Sequence, residues 1–99
     1  GWVTDPARGQ TLRRVISDIP LNKMLIETDA PFLAPKRSAL EQKHFALPVS
    51  FRSSRNEPSF LPLISSFLAS ELRLETTELI EQTTQNAIDF FGFTKIEAN

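Results

Sequence analysis

Two carboxylates one residue apart, Glu27 and Asp29, stand inside the stretch LIETDAPFLAP, residues 25–35. Side chains alternate along an extended backbone, so Glu27 and Asp29 fall on one side and Thr28 on the other. In open α/β sheets and (β/α) barrels, acids at the C-terminal end of a strand are placed to coordinate a divalent metal or to activate water. Asp29 is the sharper candidate. Turn chemistry explains the same residues: aspartate favours turns ahead of Ala30 and Pro31, and Glu27 then reads as a satisfied or edge-exposed acid.

A second constellation is basic. Between Ala30 and Asn56 stand Lys36, Arg37, Lys43, Arg52 and Arg55 against the lone acid Glu41, a local net of +4, while the remainder of the chain nets −5. Arg52 and Arg55 flank Ser53 and Ser54 just ahead of an expected helix N-terminus, where backbone N–H groups also attract phosphate. Phosphodiester substrates need such charge near the scissile group. The alternative is a solvated connection that its charges keep in water. His44 reads as a loop residue, and one histidine cannot form a metal site alone. Trp2, with the eight phenylalanines, reads as packing.

The elements that must position these groups follow from periodicity. DPARGQTLRRVISDIP has Asp5 as a cap, Pro6 in the first helical position, and Leu12, Val15, Ile16 and Ile19 on one stripe, which predicts a helix ending at Pro20. NKMLIET, residues 22–28, is too short for a helix between prolines; its apolar run Met24–Ile26 suits a buried parallel strand. Residues 30–57 show no sustained period and read as a long loop, a length that in compact domains marks function or disorder. PSFLPLISSFLASEL predicts a helix with Leu61, Ile64, Phe67, Leu68 and Leu72 inward, Asn56 as candidate cap, and Pro62 pinching its start. TTELIEQTTQNAIDFFG predicts a closing helix capped by Thr76 or Thr77, striped by Leu79, Ile80, Thr83, Ala87, Ile88 and Phe91, and stopped by Gly92.

A parallel-type strand without a neighbour leaves its backbone groups unpaired, so this one must lie beside strands outside the sequence. Composition bounds little else. The 99 residues are 40% hydrophobic with net charge −1, one modest globular unit. The absence of cysteine excludes disulfides and thiolate zinc sites and is compatible with a reducing cytoplasm. The longest uncharged stretch, Pro58 to Ser70, is thirteen residues, short of the roughly 20 a spanning helix needs. No membrane partner is expected. The opening GWVTDP lacks methionine, which suits a start partway through a longer protein.

MLIETDAPFLAP, then SSRNEPSFLP, then TTQNAIDFFG, preceded by GWVTDPARG, closely resemble the C-terminal part of TatD-family deoxyribonucleases in order and spacing, over nearly the whole chain. The resemblance implies an α/β fold, the C-terminal portion of a TIM-type (β/α)8 barrel of the metal-dependent hydrolase superfamily. Residues 1–99 would supply the end of strand 7, helix 7, strand 8, an active-site loop at 30–57 and the closing helices. It implies hydrolysis of DNA phosphodiester bonds with Mg²⁺ or a similar divalent ion, typically as a 3′-5′ exonuclease on single strands or 3′ ends, in the cytoplasm.

On the family pattern Asp29 is the metal ligand and helper of the attacking water, and Glu27 a supporting acid behind it. Arg55, Asn56 and Glu57 match the family's RNEP; Arg55, and less directly Arg52, are the phosphate candidates, with Asn56 and Glu57 in support. The family's remaining ligands, a His-x-His, a glutamate and two further histidines, lie on earlier strands that this sequence does not contain. A barrel of this type needs roughly 250 residues, so the 99 alone are expected to be inactive. The rival expectations are a non-catalytic remnant of the fold, or a related hydrolase acting on RNA or another phosphoester. Oligomeric state is not readable from the sequence.

Overall fold

The computed structural model describes residues 1–92. The described residues form four α-helices, α1 (Gln10–Val15), α2 (Arg37–Gln42), α3 (Leu61–Leu72) and α4 (Thr76–Phe91), with short 3-10 turns before α1, between α1 and α2, and ahead of α3. No strand is formed among the described residues. The segment expected as a strand begins with a 3-10 turn at Leu21–Lys23 and runs extended from Met24, where φ is −101° and ψ 135°. It has strand-like backbone without a ladder, because a strand needs a neighbour and none of the described residues provides one.

Helix prediction holds best at the C-terminal end. Ile64, Phe67 and Leu68 of α3 are buried, and α4 stops at Gly92 in the left-handed region (φ 72°), where glycine carries no Cβ penalty. Pro62 lies in the first turn of α3, a position whose N–H would have no helical partner anyway. The expected α4 cap is corrected: Glu75 precedes Thr76 as the flanking residue, with no side-chain capping bond. Asn56 does not cap α3 either, since the 3-10 turn Pro58–Phe60 leads into that helix.

The first expected helix is shorter than its pattern. Asp5 does cap a turn, its Oδ1 accepting from the N–H groups of Ala7 (3.0 Å) and Arg8 (2.8 Å). Regular helix starts only at Gln10 and tightens to 3-10 at Ile16–Asp18. Ile16 is buried, but Leu12, Val15 and Ile19 of the same stripe are exposed. Those side chains lack a surface to pack on among the described residues.

Residues 30–57 are not a solvated connection. They contain α2, and Leu40 and Phe51 are among the most deeply buried side chains. Phe51 lies 5.0 Å from Phe60, ring centre to ring centre, and the Arg37 guanidinium sits 4.9 Å above the Phe51 ring. These apolar residues follow no helical or strand period, which is why periodicity alone reads the segment as loop. Just past the end of α2, His44 adopts the left-handed region (φ 61°), with the Phe45 N–H reaching back to Leu40 O. That is a helix-stop geometry, and it places exposed His44 as a turn residue.

Candidate active site

The extended segment is fixed at both ends by asparagine amides. At its start, Asn86 of α4 donates through Nδ2 to Leu21 O and Met24 O, each at 2.8 Å. Gln82, one turn earlier, donates to Asn86 Oδ1 at 2.8 Å and so orients the amide. At its end, Asn56 Nδ2 donates to Thr28 Oγ1 (3.1 Å) and Phe32 O (2.9 Å), while its backbone N–H donates to Pro31 O (3.0 Å). Thr28 Oγ1 also accepts from Ala30 N–H at 3.2 Å. The turn closes with Phe32 N–H on Asp29 O at 2.8 Å, across a cis Ala30–Pro31 bond.

This arrangement separates the three polar residues by side, as period-two alternation predicts. Thr28 faces inward to buried Asn56, whereas Glu27 and Asp29 are exposed. Neither carboxylate takes part in a hydrogen bond or ion pair among the described residues. Both lie near Gly1: burial pushes the Gly1 amino group's pKa down, against the upward pull of Glu27 and then Asp29. The start of the chain and the end of the extended segment are therefore neighbours.

The other expected site residues divide. Asn56 belongs to the Asp29 turn directly. Glu57 is half-buried, and its carboxylate accepts from Ser59 Oγ at 3.2 Å, so its contact is local to the next turn. Arg52 is exposed but committed: one guanidinium nitrogen donates to Val49 O (3.1 Å) and Phe51 O (2.9 Å). Arg55 is exposed and makes no hydrogen bond or ion pair among the described residues, leaving its guanidinium available. Trp2, expected to pack, is 51% exposed.

Sequence reasoning missed Asn86 and Thr28. The signal for Asn86 was present: it occupies an inward position of α4 in register with Leu79 and Thr83, where a buried amide must find partners. Arg13 was missed too, and its guanidinium ties together Val3 O (2.8 Å), Asp5 O (2.7 Å) and Pro6 O (3.2 Å). Thr4, fully buried, accepts from Lys36 N–H at 2.9 Å and so joins the first turn to the start of α2.

Residues 1–92 match the family model of TatD-related DNases. The chain belongs to that family. Three proteins named 3′-5′ ssDNA/RNA exonuclease TatD are similar to it. The Erwinia amylovora protein is 39% identical over 92 residues, 93% of this chain and 32% of the relative. The Klebsiella pneumoniae protein is 40% identical over 92 residues, with the same shares. The Citrobacter rodentium protein is 39% identical over 94 residues, 95% of this chain and 32% of the relative. The chain thus spans about a third of the length of the curated relatives it matches.

Within that third the TatD-related chain offers carboxylates but no assembled metal centre among its described residues. Among the described residues no three His, Cys, Asp or Glu side chains gather where an ion could be held. The donors it does present, the exposed carboxylates of Glu27 and Asp29, are the hard oxygen type that Mg²⁺ or Ca²⁺ accepts. They fit as part of such a site. No helix among the described residues is long and apolar enough to cross a membrane.

Proposed function

We propose that this chain is the C-terminal segment of a TIM-type (β/α)8 barrel that hydrolyses nucleic-acid phosphodiester bonds from 3′ ends, with single-stranded DNA as substrate and RNA as the related alternative. The observation that carries the reading is Asp29 held outward, its carboxylate unbonded, on a turn that Thr28 and Asn56 secure from behind. Family membership and the names of the relatives support the reaction class. The extended segment 22–28 fits the last barrel strand, and Gly1 beside Glu27 and Asp29 fits the end of the preceding one. The exposed Leu12, Val15, Ile19 and Leu25 fit surfaces that the rest of the barrel would cover.

Asp29 would hold the divalent ion, Mg²⁺ by preference for carboxylate oxygen, with Glu27 behind it and the remaining ligands supplied from outside these residues. An ion bound there lowers the pKa of a water and offsets charge on the phosphoryl oxygens. This chain's own contribution is positional. Asn56 and Thr28 keep the Asp29 turn from rotating, Asn86 fixes the register of the segment behind it, and Arg55 offers a cation to a phosphate of the bound strand. The Asp29 carboxylate would also offer an acceptor for the proton of the attacking water.

The test is Asp29→Asn in the full-length protein. Cleavage of a single-stranded oligonucleotide with Mg²⁺ is expected to be almost abolished while thermal stability is unchanged, because the carboxylate makes no intramolecular bond. Near-normal turnover would remove Asp29 from the reaction. The 99 residues alone are expected to show no metal-dependent cleavage, and a cytoplasmic location, checked by fractionation, is part of the same proposal.

A further inference from the structure

A cleft of about 360 Å³ opens beside the Asp29 turn, lined by Trp2, Arg8, Phe32, Lys36, Ser53 and Ser54 among others. Its volume lies toward the small end of the range for ligand pockets, about 300–1,000 Å³. Its walls come from three separate parts of the sequence: the first turns, the turn that follows Asp29, and the Ser-Ser pair that precedes Arg55.

Two aromatic rings line it without being consumed by packing, Trp2 at 51% and Phe32 at 72% exposure. Two cations accompany them. The Arg8 side chain makes no hydrogen bond or ion pair among the described residues, and Lys36 is half-exposed, with only a long 3.8 Å approach to Asp5. Asp5 is the acid in the lining, but its Oδ1 is turned to the N–H groups of Ala7 and Arg8. The Ser53 and Ser54 hydroxyls carry no hydrogen bond among the described residues. A polar cavity of about 430 Å³ elsewhere lacks this character: there Lys43 is spent on Glu71 at 3.2 Å and Ser70 at 3.0 Å.

Exposed rings interleaved with solvent-facing cations are what a single strand uses. Any base offers a face for stacking, and its phosphates need positive charge, whereas a duplex hides its base faces. We infer that this cleft is a subsite for one nucleotide of a single-stranded polynucleotide, Trp2 and Phe32 stacking on its base while Arg8 and Lys36 hold the flanking phosphate. The serine hydroxyls donate to the same phosphate. The inference rests on the nucleic-acid reading above and extends it from the reacting phosphate to the strand beside it.

The experiment is binding of a 5′-fluorescein oligodeoxythymidylate to the full-length protein, in chelator so that nothing is cleaved, read by anisotropy across a salt series. Trp2→Ala is expected to weaken binding by about 5- to 150-fold, the range for losing one stacked base. Trp2→Phe, which keeps a ring, should restore most of it and shows that the fold survives. An oligonucleotide with one abasic position, moved along the strand, should match the Trp2→Ala loss at a single register. Arg8→Gln should weaken intact and abasic strands alike and reduce the salt slope by about 0.7.

If the wild type binds and cuts with Mg²⁺ but Trp2→Ala binds as tightly as wild type, the subsite is wrong and the nuclease reading survives. Equal losses in Trp2→Ala and Trp2→Phe also overturn it, since stacking is then not what was removed. If the wild type neither binds nor cuts any polynucleotide, the nuclease reading falls and the subsite with it.

Discussion

The Asn56 side chain meets the Thr28 hydroxyl at 3.1 Å, across 28 positions of sequence. Through that contact the RNEP stretch is joined to the inward face of the segment whose outward face carries Glu27 and Asp29. The same amide nitrogen reaches Phe32 O, and the Asn56 N–H reaches Pro31 O. One residue therefore grips the Asp29 turn on both sides. Its place in the site is to hold the carboxylate's backbone still.

Asn56→Ala is expected to destabilise by about 1–3 kcal/mol, the cost of stranding buried polar partners, and to lower cleavage further than stability explains. Asn56→Asp is expected to be worse, because a carboxylate would replace the donor facing Phe32 O and Leu33 O. Urea denaturation alongside turnover in the full-length protein separates the two effects. Turnover that tracks the folded fraction alone would show Asn56 to be a structural residue without influence on Asp29.

At the other end of the segment, Asn86→Leu puts an apolar side chain in place of the amide and strands Leu21 O and Met24 O. A loss of about 1–3 kcal/mol in urea is expected. Hydrogen exchange should rise in residues 21–28, the segment those bonds hold, while the N-terminal turns around Thr4 stay protected. Unchanged exchange there would mean that α4 packing, and not the amide, fixes the register.

What the sequence made legible was what has a period or a motif. α3, α4 and the glycine stop at Gly92 follow from apolar spacing and turn residues, and the outward pairing of Glu27 with Asp29 follows from alternation. Burial of Leu40 and Phe51 had no period to betray it, because irregular backbone packs through individual side chains. The contacts of Asn56, Asn86 and Arg13 join positions far apart in sequence or go to backbone carbonyls, which leave no mark in residue type. The motif pointed to Asn56; only the geometry explains why an amide is needed there. The expected strand did not form a ladder because pairing depends on a neighbour, not on the segment.

Asp5 gives a pH signature. Hydrogen bonds from the Arg8 and Ala7 backbone N–H groups, with smaller help from the Lys36 and Arg8 charges, hold its carboxyl below its ordinary value of 3.8 despite some desolvation. A depressed folded-state pKa stabilises above the unfolded value, and the benefit is lost as pH falls through the folded one. Asp5→Asn keeps an oxygen acceptor but cannot titrate, so its stability difference from wild type should shrink below about pH 4. A difference constant across pH 2–6, seen by thermal melts, would contradict this.

Gly9 is buried, and a Cβ there would collide with Trp2 O and approach Asp5 O to 2.8 Å and the Arg13 guanidinium to 2.7 Å. Backbone must then shift, since two of the three obstacles are carbonyls. Gly9→Ala is expected to destabilise by about 1–3 kcal/mol, although alanine favours helix at the following turn. It should also disturb the cleft at Trp2. A melting temperature equal to wild type would show that the turn relaxes freely.

The two arginines beside the serine pair should behave differently, because one is spent and the other is not. Arg52 already donates to Val49 O and Phe51 O, so Arg52→Ala is expected to cost about 1 kcal/mol of stability and leave the salt dependence of strand binding unchanged. Arg55 has no such commitment among the described residues. Arg55→Ala should leave stability within about 0.5 kcal/mol and reduce the salt slope of oligonucleotide binding by about 0.7, one phosphate contact on a single strand. Measured together, the pair distinguishes a phosphate contact from general basic charge: if charge alone matters, both substitutions lower the slope equally. A slope unaffected by Arg55→Ala would place the strand away from this loop, and the Asp29 turn would then have to meet its substrate from the other side.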